Sequence, residues 1–376
     1  MILAMDGREF VAGRMTGIGR FLLGMLEEIA RSRPHLTTVV LGGPEAQLPG
    51  SASHIHLHRV PKHTTLYWDQ VLLPRALRQV GASTFFSPYY KAPILAPCPT
   101  VVTIHDVIPF DFPAYTSGLW RPYAVALRSW AALLARRATA VVTDSAYSKK
   151  GVLTVLGLAP ERVHVIPIGV GQEFHPDLPR MAKTAAMARY GIREPYLLAV
   201  GNFLPHKNLP RLVEAYQALP ATLRQRFTLV LAGTPTQHGP ARSVSPASLT
   251  RPGVHAPGFI AAEHLPPLYG GAAALVCPSL AEGFGLPVLE AMACGTPVVC
   301  ARAGALPEVA GEAALYVNPL EVKSIAEGIE QVLTDEELRA RLGAQGLVRA
   351  RAFDVRRTSA RLVDLLEAIA RSGKVG

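Results

Sequence analysis

The chain of 376 residues is poor in cysteine. It has four, Cys98, Cys277, Cys294 and Cys300, and no two of them form a Cys-x-x-Cys pair. That spacing gives neither a disulfide framework nor a zinc site and suits a reducing cytosol. Cys277 and Cys300 fall in apolar runs, where cysteine behaves as a small hydrophobe. No apolar run reaches membrane-spanning length: Ala124 to Leu134 is interrupted by Arg128, and the stretch before Glu282 by glycines. The N-terminus, Met1-Ile2-Leu3-Ala4-Met5-Asp6, reads as a strand and lacks the basic start and long apolar core of a signal peptide. The expected location is therefore cytoplasmic. No Asp-x-Asp occurs, so the sequence requires no metal, and no cofactor is expected. The loop after the first strand, Gly13-Arg14-Met15-Thr16-Gly17-Ile18-Gly19-Arg20-Phe21, has Leu22 where Gly-x-Gly-x-x-Gly needs its last glycine. The nicotinamide-dinucleotide reading loses its main support there. There is no low-complexity tract and no internal repeat. Lys and Arg number 38 against 28 Asp and Glu. This +10 charge is shared equally between the residues up to Leu178 and those after it, so it marks no nucleic-acid face. Ordinary solubility and attraction to an anionic membrane or substrate both remain open.

What is present is a regular alternation. The length favours two domains, and 49% apolar with 18% charged residues fits a globular α/β protein. Val39 to Leu41, Thr84 to Phe86, Thr100 to Ile104 and Ala140 to Thr143 read as strands of a first half. Tyr196 to Val200, Thr228 to Ala232, Ala272 to Cys277 and Val298 to Cys300 read as strands of a second. Amphipathic stretches lie between them: Phe21 to Arg31, Leu119 to Arg137, Asn208 to Ala218 and Leu320 to Leu333. Such βα alternation predicts parallel sheets with helices on both faces. The pattern restarts at the Pro/Gly break Pro167-Ile168-Gly169-Val170. The expected domains are 1–170 and 171–355, followed by a last helix in 356–376. Ligands of open parallel sheets bind beyond the carboxyl ends of the strands, so the loops there carry the chemistry.

The most informative loop lies in Ser279 to Val299. After the apolar run ending at Cys277 comes Glu282-Gly283-Phe284-Gly285-Leu286-Pro287, then Glu290-Ala291-Met292-Ala293. Pro287 suits the first turn of a helix; Gly295 and Pro297 suit its end. Glycines admit close approach of a ligand, and a helix N-terminus offers free N–H groups and partial positive charge. A diphosphate fits there, with a carboxylate for hydroxyl groups on either side.

This run resembles the Glu-x7-Glu signature of retaining glycosyltransferases of family 4, nearly residue for residue. The resemblance implies an α/β fold of two Rossmann-like, doubly wound domains facing across a cleft, the GT-B arrangement. In it Glu282 binds hydroxyls of the transferred sugar and Glu290 the ribose diol, while Gly283, Phe284, Gly285 and Leu286 border the donor. It also implies that the last helix, roughly Arg356 to Arg371, packs back on the first domain. Gly17 and Gly19 are similar to a family loop whose glycine N–H groups reach the donor phosphates; a plain tight turn is the other reading. His105 and Asp106, in Thr103-Ile104-His105-Asp106-Val107-Ile108-Pro109, resemble the mannosyltransferase-like branch and place His105 beside the transferred sugar. Asp106 either orients the histidine or caps the loop. Lys207, in Pro205-His206-Lys207-Asn208, matches the family lysine on the diphosphate, although His206 replaces the common arginine and Asn202 a second one. Phe259 and Ile260, after Pro257-Gly258, resemble the segment that meets the nucleobase through backbone groups.

Two weaker stretches remain. Trp68, in Leu66 to Gln70, and Tyr89 with Tyr90 resemble acceptor-side segments, and packing explains their aromatic rings equally well. The stretch Leu119 to Arg137, with Trp120 and Trp130 among arginines, reads as a helix with basic ends, and membrane-surface contact is the alternative. The implied reaction moves a hexose from a nucleotide diphosphate sugar, with GDP-mannose the best match, to a glycan or lipid-linked saccharide with retention. A related two-Rossmann sugar-nucleotide epimerase and a non-catalytic nucleotide-sugar binding protein are the alternatives.

Overall fold

The computed structural model describes residues 1–11, 16–48, 50, 52–117, 121–235 and 243–373. Gly13, Arg14 and Met15 of the first glycine loop, and Leu119 and Trp120, lie outside the described residues. The chain divides into two compact units. One comprises Met1–Asp111, Arg121–Gly171 and Asp354–Gly376; the other comprises Phe112–Trp120 and Gln172–Phe353.

The first unit is built on seven parallel strands: β1 (Ile2–Asp6), β2 (Thr37–Gly42), β3 (Ile55–Arg59), β4 (Thr84–Ser87), β5 (Thr100–Thr103), β6 (Ala140–Thr143) and β7 (Val163–Val165). Their order is β3-β2-β1-β4-β5-β6-β7. The second unit has β8 (Tyr196–Val200), β9 (Thr228–Ala232), β10 (Val254–Gly258), β11 (Ala274–Cys277), β12 (Val298–Ala301) and β13 (Leu315–Val317), all parallel, in the order β10-β9-β8-β11-β12-β13. Strand order reverses between β1 and β4 in one sheet and between β8 and β11 in the other. Those are the switch points where a crevice opens at the carboxyl edge.

Both faces of the first sheet are covered. Ala4, Val39, Leu41 and Phe85 point into one apolar cluster with Trp68, Leu73 and Leu77. Leu3, Met5, Val40 and Phe86 point into the opposite cluster, with Leu22, Met25 and Ile29 of the helix Gly17–Ser32 and Leu362, Val363 and Leu366 of the helix Val355–Ser372. The period-2 alternation is what a strand buried on both sides requires. In the second unit β11 and β12 are buried throughout, and Leu212 and Tyr216 pack with Ile325, Ile329 and Val332 over the strands.

Several boundaries differ from those read in sequence. The helix Gly17–Ser32 begins before Phe21 because Thr16 caps it, its hydroxyl accepting from Gly19 N at 3.0 Å. β11 begins at Ala274 rather than Ala272, because Ala272 N closes the preceding helix on Tyr269 O at 3.0 Å. β5 ends at Thr103, although Ile104 N still donates to Val142 O at 2.8 Å. The segment Phe112–Trp120, inside the stretch the sequence assigns to the first domain, groups with the second unit. No helix among the described residues is long and apolar enough to cross a membrane. All four cysteines are buried and unpaired.

Candidate active site

In the second unit the polar residues gather beyond β8 and β11, the neighbours at the switch point. After β8 the chain makes a short 3₁₀ turn, Pro205–Lys207, that stops at Asn208 in a left-handed conformation, φ 60°. The Asn208 side chain holds the turn by donating to Pro278 O at 3.0 Å and Pro319 O at 2.7 Å. His206 O accepts from Leu280 N at 2.7 Å, which ties this turn to the loop after β11. Lys207 Nζ donates to Glu282 Oε1 at 2.7 Å, and Ser279 Oγ donates to the same oxygen at 2.7 Å. Burial alone would raise the Glu282 carboxyl. The Lys207 charge and the hydrogen bonds from Lys207 and Ser279 outweigh it and hold the carboxyl below its ordinary range. Glu282 therefore stays ionised in a buried position. Gly304 makes room for it, since a Cβ there would lie 2.6 Å from both Glu282 N and O. Ala305 N then donates to Glu282 O at 2.9 Å.

The helix Leu286–Ala293 starts at Gly285, whose φ of 103° belongs to glycine. Pro287 has no N–H, and Val288 N and Leu289 N donate to Gly285 O at 3.0 and 3.3 Å, so what the helix start offers an anion is chiefly the positive end of its dipole. Glu290, 2% exposed, sits further along this helix and accepts from Tyr269 Oη at 2.8 Å. Phe284 packs its ring on Phe353, centroids 5.7 Å apart, so only its backbone can face a ligand. Gly258 ends β10, Phe259 is exposed and Ile260 buried. The next backbone N–H, of Ala261, is taken up by Tyr190 Oη at 3.1 Å.

His206 is fixed by a residue the sequence did not mark. Tyr115, 3% exposed, lies with its hydroxyl 2.5 Å from His206 Nδ1. Burial and the neighbouring Lys207 charge push His206 down to about 4, with Glu282 opposing. A base whose folded pKa is depressed stabilises the fold above its unfolded value and loses that contribution as pH falls. Stability is therefore expected to drop between about pH 6.5 and pH 4, by on the order of 3 kcal/mol from this residue. His206→Gln should flatten the melting temperature against pH in that window; parallel profiles for the two proteins would refute the assignment.

In the first unit His105 follows β5. Its Nδ1 lies 2.7 Å from Asp144 Oδ2, after the neighbouring strand β6, and its Nε2 lies 3.2 Å from Pro88 O, after β4. Both ring nitrogens face acceptors, so only the imidazolium donates to both. Burial works against that charge, but Asp144 outweighs it and the pKa is raised. Asp106 caps the loop by accepting from Ile108 N at 2.9 Å. Orientation of the histidine falls to Asp144, which the sequence reading missed. Its signal is an aspartate directly after a buried strand adjacent to β5. Gly17 and Gly19 lie in the first turn of the helix Gly17–Ser32. Tyr89 donates to Glu9 Oε1, and its ring lies 5.6 Å from the Arg8 guanidinium. Tyr90 packs edge-on against Phe110 at 5.8 Å. Trp68 is 4% exposed, with the Arg8 guanidinium 5.5 Å from its ring centre.

Two doubly wound parallel sheets, with ionised and hydrogen-bonding side chains collected at their carboxyl edges, are the framework of nucleotide-sugar transferases of the GT-B fold class. The comparisons agree along the chain. Residues 15–174 match the family described as Glycosyltransferase Family 4, and residues 183–348 that described as Glycosyl transferases group 1. The O-antigen chain mannosyltransferase B of Escherichia coli is 30% identical over 363 residues, covering 90% of this chain and 92% of that one. The MMP alpha-(1->4)-mannosyltransferase of Mycolicibacterium hassiacum is 31% identical over 268 residues, covering 68% and 61%. The structure of a sucrose-phosphate synthase from Thermosynechococcus elongatus superposes with a TM-score of 0.75 at 20% identity, covering 99% of this chain and 100% of that one. The chain belongs to glycosyltransferase family 4.

Proposed function

We propose that this glycosyltransferase moves mannose from GDP-mannose to a hydroxyl of a glycan or lipid-linked saccharide and keeps the anomeric configuration. The observation that carries the reading is the buried Lys207–Glu282 pair beside the start of the helix Leu286–Ala293. A departing diphosphate needs positive charge, which Lys207 and the positive end of the helix dipole supply. A transferred hexose needs hydroxyl acceptors, which the ionised Glu282 supplies. Glu290 is assigned to the ribose diol, Gly283, Gly285 and Leu286 to the edge of the donor, and the backbone at Phe259 and Ile260 to the base. In the first unit Gly17 and Gly19 are assigned to the donor phosphates, His105 to the transferred sugar, and Trp68, Tyr89 and Tyr90 to the acceptor side. Apart from Gly17, Gly19 and His105, which face the donor, residues 1–170 serve the acceptor, and residues 171–355 serve the donor. Mannose is favoured by the names of the two relatives.

In the proposed step the C1–phosphate bond breaks and its electron pair leaves with the diphosphate. The acceptor oxygen bonds to C1 from the same face, and its proton passes to the leaving phosphate oxygen. Lys207 and the helix end balance the developing charge without a metal. The protein acts in the cytoplasm, with loose contact to an anionic membrane surface.

A panel of nucleotide sugars, incubated with and without EDTA, tests this reading. GDP-mannose should be consumed in preference to the others, and equally in EDTA. Preference for another donor, or loss of activity in EDTA with recovery on adding magnesium or manganese, would refute the corresponding part.

A further inference from the structure

The segment assigned to the nucleobase runs through a short 3₁₀ turn, Ala262–His264, straight into the helix Leu265–Gly271. Its sequence accounts for that helix. Pro266 and Pro267 occupy the first turn, where a missing N–H costs nothing, and Gly270 and Gly271 end it. Its carbonyls are taken up from outside. Tyr196 Oη donates to Leu268 O at 2.6 Å, Thr296 Oγ1 donates to Tyr269 O at 2.7 Å, and Cys294 Sγ lies 3.7 Å from Pro266 O. Cys294 and Thr296 directly follow the helix Leu286–Ala293, so the two helices are fastened together at that end.

A further tie runs between side chains. Tyr269 is fully buried, and its ring meets Phe174 edge-on with centroids 6.0 Å apart. Packing explains the ring, and a phenylalanine fills that space equally well. It does not explain the hydroxyl, which needs a partner when buried. That partner is Glu290 Oε2, at 2.8 Å, on the neighbouring helix and 21 positions along the chain. A glutamate side chain is long, and its carboxylate turns easily about the last bond. A charge-assisted hydrogen bond from a rigid ring on a second helix removes that freedom and fixes where the lone pairs point. A ribose diol presents two adjacent hydroxyls at a set spacing. A carboxylate oriented before the ligand arrives loses less on binding it.

We infer that Tyr269 is a positioning residue: it aims Glu290 at the ribose diol and thereby makes the protein select ribonucleotides over deoxyribonucleotides. The inference rests on the assignment of Glu290 to that diol. Tyr269 acts on the ligand only through Glu290. A site built to hydrogen-bond a hydroxyl rejects the analogue that lacks it, because the buried polar group of the site is then left unpaired. The selectivity therefore belongs to the pair, and removing either partner erodes it.

Calorimetry with GDP and 2′,3′-dideoxy-GDP reads this selectivity directly. Wild type is expected to prefer GDP by at least about tenfold, the scale of one hydrogen bond to a charged group. Tyr269→Phe keeps the ring against Phe174 and removes one oxygen. It should weaken GDP by about tenfold and leave dideoxy-GDP nearly unchanged, whereas a packing role weakens both alike. In a Glu290→Ala background the same change should have no further effect on GDP, because the carboxylate it orients is gone. Equal losses for the two nucleotides, no loss for either, or a further loss in the Glu290→Ala background overturns the inference. Absence of a ribose preference in wild type overturns it together with the Glu290 assignment. The expected split without turnover of any nucleotide sugar leaves Tyr269 standing and removes the transferase reading. The same split confined to UDP and its dideoxy form leaves Tyr269 standing and removes the GDP donor.

Discussion

Glu282→Ala is expected to lower the transfer rate by about 10²- to 10³-fold, the range for removing one preorganised polar contact from a transition state. The carboxylate is buried, ionised and held by Lys207 and Ser279, so its geometry is set before any sugar arrives. Breaking a buried ion pair by deleting one partner costs roughly 3–5 kcal/mol, so the alanine variant should also melt earlier. Glu282→Gln keeps the size and the acceptor oxygen while losing the charge. It should retain more stability yet remain slow. Nucleotide affinity by calorimetry separates the roles: GDP should bind both variants nearly as it binds wild type. Glu290→Ala should show the opposite pattern, weakening GDP by about ten- to a hundredfold, as loss of a charged hydrogen bond of roughly 1.5–3 kcal/mol implies. Unchanged turnover in Glu282→Gln would remove Glu282 from the reacting sugar.

His105→Ala is expected to reduce transfer by about 10²- to 10⁴-fold with GDP affinity unchanged. Both ring nitrogens of the histidine face acceptors, and the Asp144 charge favours the doubly protonated ring. Asp144→Asn removes the charge that raises the His105 pKa, so the histidine should lose its proton at lower pH. If the imidazolium is the active form, activity in wild type falls as pH rises through that raised value. In Asp144→Asn the same limb should move to lower pH. Asp106, which caps the loop at Ile108, also raises the His105 pKa, but by less than Asp144, so Asp106→Asn should move the limb the same way by a smaller amount. An unmoved limb in Asp144→Asn would return that aspartate to a packing role, and full activity in His105→Ala would do the same for the histidine.

The central strands were legible because each is a short apolar run bounded by turn residues; Ala140–Thr143, Tyr196–Val200 and Thr228–Ala232 lie where the sequence puts them. The edge strands were not. β3 reads Ile-His-Leu-His-Arg and β7 and β13 have three residues each, because an edge strand needs less apolar surface. The glutamates and Lys207 were visible singly from their motifs, whereas their pairing was not. Lys207 and Glu282 are 75 positions apart, and His105 and Asp144 are 39 apart. What unites each pair is strand order: β8 lies beside β11 and β5 beside β6. Residues that follow neighbouring parallel strands emerge side by side at the carboxyl edge. Tyr115 was missed for a related reason: its segment groups with the unit that follows it in sequence rather than the one around it.

The central claim is retaining transfer from a nucleotide sugar, and the anomer released first tests it most directly. With α-linked GDP-mannose and water as acceptor, ¹H NMR recorded before mutarotation reads the product without knowledge of the natural acceptor. The account predicts α-mannose as the first-formed anomer, together with GDP, and neither product from Glu282→Ala on the same timescale. β-Mannose appearing first would contradict it.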